Sequence, residues 1–376
     1  MRYTRAGRRT RAGSAPGSGG LAGDSAMGSG QGGGAGAEQF QAEVLRQFRS
    51  TYGPAVLEGE EGAAALYSMP GQVGLFARRC RNPVLAAGIG GVGPKPQLAR
   101  DPAEHESVGL SLAAACVNEV LARGALPLFL VHRLATGEPD PAVALQVLRG
   151  IAAGCRQADC ALLGGMTDVR PGACAPGPYD LTGFVVGMVE RERLLHGPQK
   201  VRPGDVLVGI ESAGLHGSGD AWVRQTLLGA RPAQLDEVLL ELRRPLREEL
   251  LRPARVYAKA VRAVLERYRV KGVVHGLAHV GNGGLLPGLQ RAMGRRCVAR
   301  LDRAALPSQP VFAVVQRLGG LGDDEMRRTF NLGVGMVAIV APFYADAAVR
   351  RIRRAGERAA VIGQVVQGDG PAAELG

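Results

Sequence analysis

The chain has 376 residues, 46% of them hydrophobic and 21% charged, so it is too long for one minimal module and too apolar for wholesale disorder; two domains are expected. No apolar run approaches the roughly 18 residues of a membrane span, and aromatics at 4% with one Trp exclude a stacking surface for single-stranded nucleic acid. The 46 Lys and Arg against 34 Asp and Glu, a net +12, admit an anionic ligand such as a nucleotide or sugar phosphate, while the scatter of the arginines reads as solvated helix faces rather than a DNA-binding stripe.

Residues 1–38 are mostly Gly, Ser, Ala and Arg. They have too few large apolar side chains to offset their ordering entropy, and a disordered tail is expected there. Arg2, Arg5, Arg8, Arg9 and Arg11 precede the first acid, Asp24. That composition suits a low-complexity extension of a cytoplasmic protein or, alternatively, an organelle transit peptide.

From residue 83, short apolar runs alternate with helical periods. The pattern predicts a strand over 83–89, a helix over 106–123 closed by Gly124, a strand over 126–131, a helix over 141–157, and strands over 160–165 and 180–189. These make one α/β unit within 70–199. Residues 200–205, containing Arg-Pro-Gly-Asp, read as a turn-rich hinge. The alternation then restarts: strand 206–211, a helix from Gly219, helix 253–269, strand 273–279, helices 285–293 and 311–318, strand 334–340, helix 345–354 and strand 360–366. This second α/β unit fills 200–367.

The six cysteines, Cys80, Cys116, Cys155, Cys160, Cys174 and Cys297, show no CxxC spacing, and three of them sit in apolar runs. They read as reduced core thiols of a cytosol-like compartment.

Gly is 56 of 376 residues, about twice the usual share, and it clusters at strand-to-helix turns. Residues 212–219 read Ser-Ala-Gly-Leu-His-Gly-Ser-Gly. Such a turn exposes backbone N–H groups at a helix N-terminus, where a phosphate is favoured. Ser212, Gly214 and Gly219 are candidate ligand contacts in it. His216 is a candidate phosphate donor or proton carrier, against the plainer reading of a surface histidine in a flexible turn. A second glycine stretch, which includes Gly91 and Gly93, runs through residues 88–95 and ends in Lys95. It could close an ammonium over a triphosphate or serve as a linker. Gly164, Gly165 and Thr167 follow a strand, Asn331 opens a late one, and Asn118 is a polar group on a buried helix face that must find a partner.

In this order the segments resemble the aminoimidazole ribonucleotide synthetase family, the phosphoribosylformylglycinamidine cyclo-ligases. The segments are Ala-Cys-Val-Asn-Glu at 115–119, Ala-Thr-Gly at 135–137, Leu-Leu-Gly-Gly at 162–165, Tyr-Asp-Leu-Thr-Gly-Phe at 179–184, the loop at 212–219, Ala278-His279, and Phe-Asn-Leu-Gly-Val-Gly at 330–335. The resemblance covers about residues 70–367. It implies an α/β fold of two domains around an ATP cleft, with the N-terminal sheets of two copies packed together as a homodimer and a C-terminal α/β domain. It also implies Mg2+ and a reaction: ATP phosphorylates the formyl amide oxygen of formylglycinamidine ribonucleotide, and an amidine nitrogen closes the imidazole ring. Lys95 and His216 would be catalytic; Gly91, Gly93, Asn118, Gly164, Gly165, Thr167, Asp180, Ser212, Gly214, Gly219 and Asn331 would bind substrate or ATP.

Several acids of the family pattern are replaced. Gly90, Ser111 and His132 stand where three aspartates are expected, and the family's Gly-Gly-Glu-Thr-Ala-Glu is here Gly-Gly-Met-Thr-Asp-Val from Gly164. Mg2+ needs hard oxygen ligands, and Glu119 and Asp168 are the candidates left to provide them. Two further readings therefore stand beside the cyclo-ligase. One is an impaired or inactive relative acting as a dimeric nucleotide-binding or interaction protein. The other is a different member of the superfamily, such as a selenophosphate synthetase or thiamine phosphate kinase.

Overall fold

The computed structural model describes residues 34–57, 66–68, 82–171, 179–268, 271–281, 283–294, 296–368 and 373–375. Of the tail expected over residues 1–38, residues 1–33 lie outside the described residues, as do Cys80 and Cys174. Helix α1, Gly34–Arg49, starts four residues before the expected end of that tail.

The first half of the chain builds strand β1 (Pro83–Gly91), helix α2 (His105–Leu121), strand β2 (Leu126–Thr136), helix α3 (Pro141–Ala158), and strands β3 (Ala161–Val169) and β4 (Asp180–Glu190). Helix α3 is bounded by local chemistry. The Asp140 carboxylate accepts from the N–H groups of Ala142 and Val143 at its start, Pro141 follows as the first helical residue, and Asp159 ends it at φ 55°. The strands form one sheet in the order β1-β4-β2-β3, antiparallel except for the parallel β2–β3 pair.

Helices α2 and α3 cover one face of this sheet. Glycines let α2 lie close: a Cβ on Gly183 would be 2.8 Å, and one on Gly90 3.1 Å, from the Cys116 sulfur. The opposite face carries Leu85, Ile89, Phe184 and Met166 in the open, with Ile89 71% exposed.

The second half starts with β5 (Val206–Glu211), followed by helix α4 (Ala258–Arg267), β6 (Val274–His279), helix α5 (Leu285–Met293), β7 (Cys297–Leu301), helices α6 (Pro310–Gly319) and α7 (Asp323–Thr329), β8 (Val334–Val340), helix α8 (Ala345–Arg354), β9 (Ala359–Gln367) and β10 (Ala373–Leu375). Its sheet runs β6-β8-β5-β9-β7-β10, and only the final pair is parallel. Every residue of β8 is buried, and two apolar clusters, one on either face, enclose the sheet.

Three expectations need correction. The helix expected from residue 253 starts at Ala258, because backbone groups of 252–257 are bonded to the side chains of Lys95, Ser111, Asn118 and His216 rather than to a helical turn. Residues 88–91 are strand, not loop, which leaves 92–94 as the turn before a one-turn helix, Lys95–Leu98. The helix expected from Gly219 runs one α-turn, Asp220–Trp222, and then widens into a π-helix, Val223–Ala230. Strand β7 and helix α7 were not foreseen.

Candidate functional site

The two halves meet along a seam. From the first half it is lined by the turn after β1 and by helix α2. From the second it is lined by the loop at 212–219, the extended segment 252–257, the end of β6 and the turn before β8.

Lys95 lies within this seam and is buried. Its ammonium donates to Ser111 Oγ at 2.9 Å and to the Arg252 carbonyl. Ser111 Oγ also accepts from the Ala254 N–H at 3.2 Å and donates to the Ser107 carbonyl at 2.8 Å. Burial pulls the lysine down to about 8, opposed by the field of Asp220. Asn118 answers its buried setting in the same way. Its amide donates to the Arg255 carbonyl at 2.8 Å, and its oxygen accepts from the Tyr257 N–H at 3.0 Å. Two side chains of one helix thus hold the 252–257 strap in extended form, since the strap's backbone groups are satisfied across the seam.

The loop at 212–219 is stitched from behind. Asn331 is fully buried, and its amide donates to the carbonyls of Gly214 and Leu215 at 3.0 and 2.8 Å. Its oxygen accepts from the Gly333 N–H at 2.9 Å, and its own N–H donates to Ser218 Oγ at 3.1 Å. Ser212 donates to the Gly214 carbonyl at 2.8 Å. Gly214, Gly217 and Gly219 all have positive φ. At Gly219 a side chain is doubly excluded, because its Cβ would fall 2.1 Å from the Phe330 ring.

His216, itself at φ 53°, turns inward. Its Nε2 accepts from the Ala213 N–H at 2.7 Å and the Arg255 N–H at 3.1 Å, which places the ring proton on Nδ1. Burial, then the positive field of Lys95, holds the ring well below the usual histidine range. In this state His216 is a neutral brace between loop and strap, and its Nδ1–H is buried without a partner.

The remaining candidates lie on the first sheet and separate by face. Strand register places Gly91, Gly164, Asp168 and Asp180 on the open face, Asp168 and Asp180 flanking Ala135 of β2. Gly165 and Thr167 belong to the helix-covered face. A Cβ on Gly165 would strike the His132 ring at 2.1 Å. Thr167, Thr136, Leu134 and Tyr179 line a cavity of about 650 Å³ that begins at Pro96, next to Lys95. Its size and mixed lining suit a small organic ligand. Tyr179 is fixed there by a 2.9 Å hydrogen bond to His105.

The two candidate metal ligands do not converge. Glu119 pairs with His279 at 3.1 Å, which lowers its carboxyl below the usual range. Asp168 is shared by Arg133 at 2.6 Å and Arg170 at 2.7 Å, and Arg133 foremost lowers its carboxyl. Among the described residues no three His, Cys, Asp or Glu side chains form a metal-holding group. With Gly90, Ser111, His132 and Met166 at the family's acidic positions, no such group among the described residues offers Mg2+ the hard oxygen ligands it needs.

Sequence reasoning missed Asp220. It follows the glycine loop directly, outside any motif. Its carboxylate reaches the other half of the seam, a placement that only the folded chain makes visible.

Two α/β halves that close glycine turns and a buried lysine onto one seam, beside a nucleotide-sized cavity, define a protein of the two-domain ATP-cleft class. In fold it is similar to a thiamine-monophosphate kinase from Stenotrophomonas maltophilia K279a, with a TM-score of 0.60 at 21% identity over 90% of this chain and 95% of that one. It is equally similar to the hydrogenase maturation protein HypE in complex with ATP, with a TM-score of 0.60 at 20% identity over 92% and 93%. The chain belongs to the AIR synthase related protein family: the family's N-terminal domain matches residues 77–189 and its C-terminal domain residues 202–376. A relative from Sorangium cellulosum (strain So ce56) is 42% identical over 87% of this chain and 92% of its own length. Another, from Geobacillus thermodenitrificans (strain NG80-2), is 38% identical over 88% and 93%. Both are named phosphoribosylformylglycinamidine cyclo-ligase.

Proposed function

We propose that the chain is an ATP-dependent cyclo-ligase of purine synthesis. It would convert formylglycinamidine ribonucleotide to aminoimidazole ribonucleotide with release of ADP and phosphate. The observation that carries this reading is the meeting of the glycine turn before Lys95 with the loop at 212–219, in a chain whose relatives of that name align over nearly its whole length.

In this reading residues 70–199 form the dimerisation half and 200–367 the second half of a cytoplasmic homodimer, and no helix of the described residues is long and apolar enough to cross a membrane. Gly93, Lys95, Ser212, Gly214 and Gly219 serve the phosphates. Asn118, His216 and Asn331 hold the strap and loop in place. Gly165 and Thr167 border the cavity for the nucleoside. Gly91, Gly164 and Asp180 reach the ligand only from the open face of the sheet. The metal sphere completed by family acids is not available, so the protein's part in charge balance falls to Lys95 and the backbone N–H groups of the loop.

The purified protein, given ATP, Mg2+ and formylglycinamidine ribonucleotide, should release ADP and the aminoimidazole product. Turnover no greater than that of Lys95→Ala would remove this reading. The loss of the acidic positions favours a second one, a dimeric nucleotide-binding relative without turnover. ATP would then raise the thermal unfolding midpoint while no product forms.

A further inference from the structure

Asp220 stands where the two glycine turns meet. It opens the short helix after the 212–219 loop, and its side chain crosses the seam onto Gly93. A Cβ at Gly93 would fall 1.9 Å from Oδ2 and 2.9 Å from Oδ1, and one at Gly217 would fall 3.7 Å from Oδ2. Both glycines have positive φ, 57° and 87°. The carboxylate therefore fills the gap between the two turns that would cradle a phosphate.

The charged groups around it are few. Lys95 faces it across the seam and Arg224 lies one turn further along its own helix, each favouring the ionised form. Arg224 is also drawn toward Gln97 Oε1 at 3.3 Å. Behind Lys95, Arg252 adds positive charge, and Lys95 in turn acts on His216. Despite these cations, burial pushes the Asp220 carboxyl up to about 6. Among the described residues Asp220 belongs to no group of three His, Cys, Asp or Glu side chains that could hold a metal.

A phosphoryl group entering this gap would bring its negative oxygens against the carboxylate. Like charges in a partly buried site cannot both remain ionised without a large penalty. We propose that Asp220 makes phosphate binding at the seam a proton-coupled event: a phosphoryl group settling between Gly93 and Gly217 is accompanied by uptake of one proton onto the Asp220 carboxylate, which then donates to a phosphate oxygen. The inference deepens the nucleotide-site reading and rests on it. Its consequence is a seam that takes polyphosphate more readily as pH falls toward 6, with Asp220 as a specificity-determining residue.

The test uses the full-length protein and two probes, ADP and inorganic tripolyphosphate, with and without Mg2+. Calorimetry in two buffers of different ionisation enthalpy counts the protons taken up, and affinity is followed from pH 6 to 8.5. The probes' own titrations are common to all proteins and cancel in the comparison. The expected result is that the natural protein takes up close to one proton more than Asp220→Asn, and that its affinity falls more steeply with pH than the variant's, by up to roughly tenfold per unit. Asp220→Asn and Asp220→Ser should both bind more tightly than the natural protein at pH 8. Equal proton uptake in the natural protein and Asp220→Asn would overturn the proposal. Binding that needs Mg2+ and vanishes in both variants would overturn it too, by making Asp220 a metal ligand. Absence of polyphosphate binding in every protein at every pH would retire the phosphate-site reading along with it.

Discussion

At Asp220 the price of holding a carboxylate at the seam can be read from stability as well as from binding. An acid whose folded pKa is raised binds its proton more tightly when folded, so it favours folding below its unfolded value and loses that contribution as pH rises through its folded value. For Asp220 the window runs from 3.8 to about 6. Asp220→Asn, which keeps the shape without the charge, should therefore stabilise the protein at pH 8. The gain is on the order of 3 kcal/mol, since one pKa unit is worth about 1.4 kcal/mol, and it should shrink toward zero near pH 4. Urea unfolding at the two pH values measures it. Asn331 behaves oppositely. Asn331→Ala would strip partners from the carbonyls of Gly214 and Leu215 and the N–H of Gly333 and should cost on the order of 3 kcal/mol at any pH. Asn118 was legible in the sequence because a polar residue on an apolar helix face demands a partner. Asp220 was not, because an exposed-looking acid after a glycine loop carries no signal until Gly93 is brought against it.

Helix α2 meets α3 with backbone close against backbone at two glycines. A Cβ on Gly109 would lie 2.0 Å from the Val147 carbonyl oxygen, and one on Gly150 1.9 Å from that of Glu106. No rotamer change relieves a clash with backbone. Gly150→Ala should push the helices apart and cost on the order of 3 kcal/mol, seen as a lower urea midpoint, and it should weaken ligand binding because α2 carries Ser111 and Asn118 into the seam. The elements themselves were legible from periodicity: the strands expected over 83–89, 206–211 and 334–340 and the helices over 141–157, 285–293 and 345–354 follow from the apolar pattern. The strap at 252–257 was not. Its composition is helical, and only the competing acceptors and donors on α2 and His216 keep it extended. Glycine was ambiguous for a related reason. Gly90, Gly109, Gly150 and Gly183 admit close packing, whereas Gly93, Gly214 and Gly217 shape a turn, and one residue type signals both.

Strands β1 and β4 are apolar on both faces, a pattern that calls for cover on both sides. Within one chain only the face under α2 and α3 is covered. On the other, Ile89 pairs in register with Phe184, and Leu85 and Met166 extend the same surface. These four are 71%, 41%, 57% and 50% exposed on one face of the sheet, and a second copy of the same sheet laid against it would give the self-complementary arrangement that a two-fold interface requires. The full-length protein should therefore sediment at twice its chain mass. Ile89→Asp combined with Phe184→Asp places two charges in the middle of that face while leaving the α2 side intact, so the variant should remain folded by circular dichroism and sediment as a single chain, with dimer affinity weakened at least about 100-fold. A natural protein that sediments as one chain at micromolar concentration would leave this apolar face without a cover of its own kind. It would also leave Gly91, Gly164 and Asp180 facing solvent rather than a shared ligand site. Because those residues lie on the open face and Lys95 lies in the seam, loss of activity in the double variant with ADP binding at the seam retained would separate what the second copy contributes from what one chain does alone.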